Sequence, residues 1–113
     1  MPRPTTPRYN VSIMTASQER YLAEVRRIVL AHLDPREAGV YLFGSFARDD
    51  VRVFSDIDVA VLPKNGAIDR SIAKASEALE ESVIPYRVEI VDLSHAGEEF
   101  RTRVLATGIP WTA

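Results

Sequence analysis

Two short apolar runs, Gly39-Val40-Tyr41-Leu42-Phe43 and Ile57-Asp58-Val59-Ala60-Val61-Leu62, bracket a polar stretch that opens with Gly44-Ser45 and closes with Asp56. Both runs are rich in β-branched and aromatic residues and so read as strands; Gly44 ends the first, and Pro63 with Asn65-Gly66 closes the second. Side chains alternate between the two faces of a strand. Ile57, Val59 and Val61 therefore share the face that must be buried, and Asp56 and Asp58 project together from the other. Two strand rises separate their Cα atoms by about 6.7 Å, close enough for the carboxylates to converge on one or two cations. An isolated pair of this kind more often marks a solvated sheet face or a turn, so its neighbours decide its meaning.

The rest of the chain alternates helical and extended patterns. Leu22, Val25, Val29 and Leu33 recur at helical spacing after a Thr15-to-Gln18 capping box, which predicts a helix over about 17–32 that Pro35 stops. Ile68, Ile72, Ala75 and Leu79 predict an amphipathic helix to about Ser82, with Glu77, Glu80 and Glu81 on its outer face. Tyr86-Arg87-Val88-Glu89-Ile90-Val91 reads as a third strand. A last helix over about 96–107 carries Phe100 and Val104 at i, i+4, and Gly108 is expected to stop it in the left-handed conformation ahead of Pro110. In the third strand Val88 and Ile90 take the core face, which turns Glu89 to the opposite side and leaves Asp92 with the core residues. If the second and third strands pair, Asp56, Asp58 and Glu89 cluster.

Composition narrows the function classes. The 113 residues make one domain, 14–113, preceded by a flexible tail over 1–13 that has Pro at 2, 4 and 7 and lacks the apolar segment of a signal peptide. A formal charge of -2 and a pI near 5.7 remove the global basicity of duplex-binding modules, so strong duplex nucleic acid binding is not expected. The chain has no Cys, which excludes a thiolate zinc site and a disulfide framework and fits the reducing cytoplasm as its location. No apolar stretch approaches the roughly 20 residues that span a bilayer, so no membrane role is expected.

Three carboxylates on one small face repel one another unless a cation neutralises them. Oxygen donors without His or Cys suit Mg²⁺ or Mn²⁺, hard ions that take substrate phosphates as further ligands. Gly44-Ser45 lies where a strand ends, and Phe46-Ala47-Arg48 can start a short helix whose free N–H groups favour an anion. Gly44 would let the backbone approach a phosphate, and Ser45 adds a hydroxyl donor. The plainer alternative is a glycine turn with Ser45 as a helix cap. Arg48 can pair with phosphate, or bridge to Asp49, Asp50 or the acidic group as a structural cation; the structural role is preferred.

Taken together, Gly44-Ser45 with Ala47-Arg48, then Ser55-Asp56-x-Asp58, then a carboxylate in a later strand, resemble the DNA polymerase beta-like nucleotidyltransferases. The closest pattern is that of the minimal nucleotidyltransferases, stand-alone domains of about this length such as the antitoxin halves of HEPN/MNT pairs. The resemblance runs from about Tyr41 through Trp111. It implies an α+β fold, with a small mixed β-sheet of three or more strands flanked by helices. It also implies that Asp56, Asp58 and Glu89 are the catalytic carboxylates and ligands of two Mg²⁺ or Mn²⁺ ions, that Gly44 and Ser45 hold nucleotide phosphates, and that Arg48 and Ser55 support them. The family's pattern has Asp where this chain has Glu89, and one further carbon–carbon bond adds about 1.5 Å of reach.

The implied reaction is transfer of a nucleoside monophosphate, AMP from ATP, to an acceptor hydroxyl, as in two-metal phosphoryl chemistry. The implied partner is a HEPN-like toxin with a tyrosine as acceptor, in a homo- or hetero-oligomer. Glu89 keeps a rival reading in play, a catalytically silent antitoxin of the same fold that neutralises its partner by binding alone. Ile109-Pro110-Trp111 has two readings, a partner anchor and a segment folded onto its own core, the second being the commoner fate of a large aromatic. A hydrolase built on Ser45 with His32 or His95 is the weakest reading, since no G-x-S-x-G elbow is present.

Overall fold

The computed structural model describes residues 14–48 and 56–112; the tail expected over 1–13 lies outside them. Helix α1 (Ala16–His32) starts at the capping box, where the Thr15 hydroxyl accepts from the Gln18 N–H at 3.1 Å and the Gln18 side chain accepts from the Thr15 N–H at 2.8 Å. Strands β1 (Ala38–Phe43) and β2 (Ile57–Pro63) follow, then helix α2 (Asp69–Glu80), strand β3 (Val88–Asp92), a 3-10 turn (Leu93–His95), helix α3 (Glu98–Thr107) and the short strand β4 (Ile109–Pro110). The architecture is α+β, and the sheet order is β3-β2-β1-β4. The sheet is mixed, because β1 runs antiparallel to β2 and β4 while β2 and β3 are parallel.

Alternation divides the molecule into two packed layers around the sheet. Val40, Leu42, Ile57, Val59 and Val61 point to one face and join Val25, Ile28 and Val29 of α1 with Leu79 of α2 in the main core. On the other face Ala60 packs with Leu93 and Val104, bordered by Tyr41, Phe43, Leu62 and Phe100. Both faces of the sheet are therefore covered along part of their length. The uncovered end of the second face is where Asp58 and Glu89 sit.

Three expectations need correction. Strand β3 begins at Val88 rather than Tyr86, because the Tyr86 ring is committed to edge contacts with Tyr21 and Phe46, and Ile57, the first β2 residue, pairs with Val88. Helix α3 begins two residues late because the Asp92 carboxylate accepts from the Ser94 N–H and hydroxyl, at 2.9 and 2.6 Å, and closes a separate 3-10 turn. Gly108 is not left-handed; its φ is -70°, and glycine is needed there because an added Cβ would lie 2.7 Å from the Val104 carbonyl oxygen and 3.2 Å from that of Leu42. Trp111 folds onto the core, 8% exposed, with its backbone N–H donating to the Val40 carbonyl at 2.7 Å.

Candidate active site

Where β1 ends, Gly44 takes φ +78°, and the next residues make a single helical turn closed by the Arg48 N–H donating to the Gly44 carbonyl at 3.1 Å. Phe46 anchors that turn. It is 2% exposed and meets the Tyr86 ring edge-on, 5.5 Å between centroids, so the bend cannot swing independently of the core. Ser45 and Ala47 remain half-buried around it. Only Phe46, Ala47 and Arg48 of the expected helix start are described, and Asp49, Asp50 and Ser55 lie outside the described residues.

Pairing register brings the acidic residues to the same place. Asp58 is opposite Phe43 on one side and Glu89 on the other, and in-register neighbours project from the same face. Asp56 precedes β2 by one residue. The contact between the bend and the acids is direct: an added Cβ on Gly44 would collide with a carboxylate oxygen of Asp58 and stand 3.1 Å from its Cγ. Only glycine fits between them, for reasons of both space and φ.

Electrostatics give the same neighbourhood. The Asp58 carboxyl is pushed above its ordinary range, first by burial, then by the charges of Glu89 and Asp56, with Arg48 opposing. Arg48 thus sits within electrostatic reach of Asp58. A half-buried carboxylate with two acidic neighbours favours a bound cation, and an all-oxygen donor set fits Mg²⁺ or Mn²⁺ by hardness.

Two features near these strands carry little signal in the sequence. Phe100 and Arg103 of α3 come up against the Gly44 bend, Phe100 meeting Phe43 edge-on at 5.5 Å. The only signal for this was the Phe100/Val104 helical pair, which fixes which side of α3 faces the sheet. Separately, ligand atoms of Asp69, Asp92 and His95 lie within 4.8 Å of one another. That group belongs to the far end of β3, and Asp92 is already engaged by Ser94. Among the described residues no hydrogen bond joins Ser45 to His32 or His95; His95 instead approaches Asp92 at 3.6 Å.

Comparison with known proteins bears on the same segment. A family model for polymerase beta nucleotidyltransferases matches residues 30–110. MntA of Haemophilus influenzae, a probable protein adenylyltransferase, is 29% identical over 75 residues, which cover 66% of this chain. The chain spans 65% of the length of that relative. A solved structure described as a minimal nucleotidyltransferase is 32% identical with a TM-score of 0.66, covering 88% of this chain and 98% of the other. A toxin–antitoxin structure with AMP-PNP is 26% identical with a TM-score of 0.60, covering 82% of this chain and 71% of its own.

Proposed function

The chain belongs to the polymerase beta nucleotidyltransferase family, and from that premise we propose that it transfers AMP from ATP to a hydroxyl of a partner protein, acting as an antitoxin. One observation carries this reading: the parallel register sets Asp58 beside Glu89, with Asp56 just upstream and the Gly44 bend in contact with Asp58. The likeness to MntA and to a toxin–antitoxin structure with AMP-PNP supports both the donor and the kind of partner. A HEPN-like toxin with an acceptor tyrosine is the partner the sequence resemblance implies.

In this mechanism Asp56, Asp58 and Glu89 would hold one or two Mg²⁺ or Mn²⁺ ions, which when bound neutralise phosphate charge and acidify the acceptor hydroxyl. The acceptor oxygen forms a bond to the α-phosphorus, and the bond from that phosphorus to the bridging oxygen breaks with its electron pair leaving on pyrophosphate. Glu89 takes the hydroxyl proton on a carboxylate oxygen. Gly44, through its backbone N–H, and Ser45, through its hydroxyl, bind the phosphate chain as charge grows on it. Arg48 moderates the repulsion at Asp58.

The test is to incubate the chain with α-labelled ATP, Mg²⁺ and a HEPN-like toxin. Label should pass to the partner and fall by more than about 100-fold in Asp58→Asn, beyond the loss usual when a residue that merely orients a metal ligand is changed. The longer side chain at Glu89 favours one second reading, neutralisation by contact alone. A partner silenced equally well by Asp58→Asn, with no label transferred by the unaltered chain, would establish that reading in its place.

A further inference from the structure

Beside the Gly44 bend, on the side away from Glu89, lies a cavity of about 250 Å³ whose wall includes Phe43, Gly44, Arg48, Phe100 and Arg103. Its rings hold a cation in place. The Arg103 guanidinium carbon lies 5.9 Å from the centroid of Phe100, and Phe100 is braced edge-on against Phe43, the register partner of Asp58. Among the described residues neither Arg48 nor Arg103 makes an ion pair or a side-chain hydrogen bond with an acid. Arg48 and Arg103 thus line the cavity beside the bend, and the Asp58 carboxylate lies against Gly44 itself.

We propose that this cavity receives the terminal phosphates of the nucleoside triphosphate, and that Arg103 is a specificity-determining residue that selects triphosphates over monophosphates. The inference rests on the nucleotidyl-transfer reading and adds a binding residue from α3 to it. The cavity is smaller than the roughly 300 Å³ at the low end of whole-ligand pockets, which suits a phosphate tail rather than an entire nucleotide. A planar guanidinium presents paired donors that match phosphate oxygens. Arg103 already covers a face of Phe100, so the ring braces the cation instead of offering a platform to a base. The polarity also fits the reaction: the α-phosphate lies toward the acids, and the departing pyrophosphate toward the arginines.

Calorimetry on the full chain with Mg²⁺ tests this, using ATP, AMP and inorganic pyrophosphate as probes. The unaltered chain should bind ATP and pyrophosphate more tightly than AMP. Arg103→Ala should weaken ATP and pyrophosphate about 10- to 100-fold, the usual range for losing hydrogen bonds to a charged group, and leave AMP within about two-fold of its starting affinity. Arg103→Lys should recover part of the loss. Arg70→Ala, which removes the same charge from exposed α2 surface, should change nothing, and a thermal unfolding midpoint for each variant establishes that it is folded. Unchanged ATP and pyrophosphate affinity in Arg103→Ala, an equal loss for AMP, or an equal loss in Arg70→Ala overturns the subsite while label transfer to the partner still stands. If the unaltered chain binds neither ATP nor pyrophosphate, the subsite and the transfer reading fall together.

Discussion

Gly44 is the residue at which backbone and site chemistry meet. Its φ of +78° costs a residue with a Cβ about 1–2 kcal/mol, and its Cβ would also displace the Asp58 carboxylate. Gly66 separates the two effects, because it has φ +68° but open space around it. Gly66→Ala should lower stability by about 1 kcal/mol in urea unfolding and leave nucleotide transfer intact, whereas Gly44→Ala should lose stability and transfer together. Asp58 gives a second prediction, with a sign fixed by its raised pKa. The folded carboxyl holds its proton more tightly than the ordinary value of 3.8, so stability falls as pH rises from 3.8 through the raised value. The full penalty is present at pH 7. Asp58→Asn should therefore raise the metal-free unfolding midpoint at pH 7, leave it nearly unchanged at pH 3, and abolish transfer.

At the scale of elements, β4 shows how a segment with almost no intrinsic signal becomes structural. It has two residues, one of them Pro, and is held by pairing with Tyr41 and Leu42 and by Trp111 sealing the core behind it. Trp111→Ala should cost about 3–5 kcal/mol, as large aromatic truncations do, read as a fall in the urea midpoint. The longer elements are legible in the sequence because each buries one face, and burial writes a period into the residues: Val25, Ile28 and Val29 on α1, Ile57, Val59 and Val61 on β2. The meeting of Asp56, Asp58 and Glu89 follows from parity alone once β2 and β3 pair. What escapes such reading depends on contacts between distant segments. Gly108 looks like a left-handed stop but answers to the crowding of Val104 and Leu42 carbonyls, and Arg103 reaches the bend only because α3 crosses the second sheet face beside Phe43.

At the scale of the whole molecule, the half-buried Asp58 beside the charges of Glu89 and Asp56 is a source of instability in the ligand-free domain that Arg48 eases. Anything that binds only the folded form stabilises it by mass action, about 2.7 kcal/mol at a concentration of 100 times Kd. Mg²⁺ with ATP should therefore raise the unfolding midpoint, chelation of the metal should reverse the gain, and Asp58→Asn should show no such response. No helix among the described residues is long and apolar enough to cross a membrane.

The parallel pairing of β2 with β3 carries one more consequence. Parallel neighbours need a crossover, here supplied by α2, so Asp58 and Glu89 become adjacent only after the intervening segment has doubled back. A nascent chain on the ribosome that has exposed the Gly44 bend but not Val88–Asp92 holds an incomplete set of acids. The proposed nucleotide site is therefore incomplete until the whole β2–α2–β3 unit has formed.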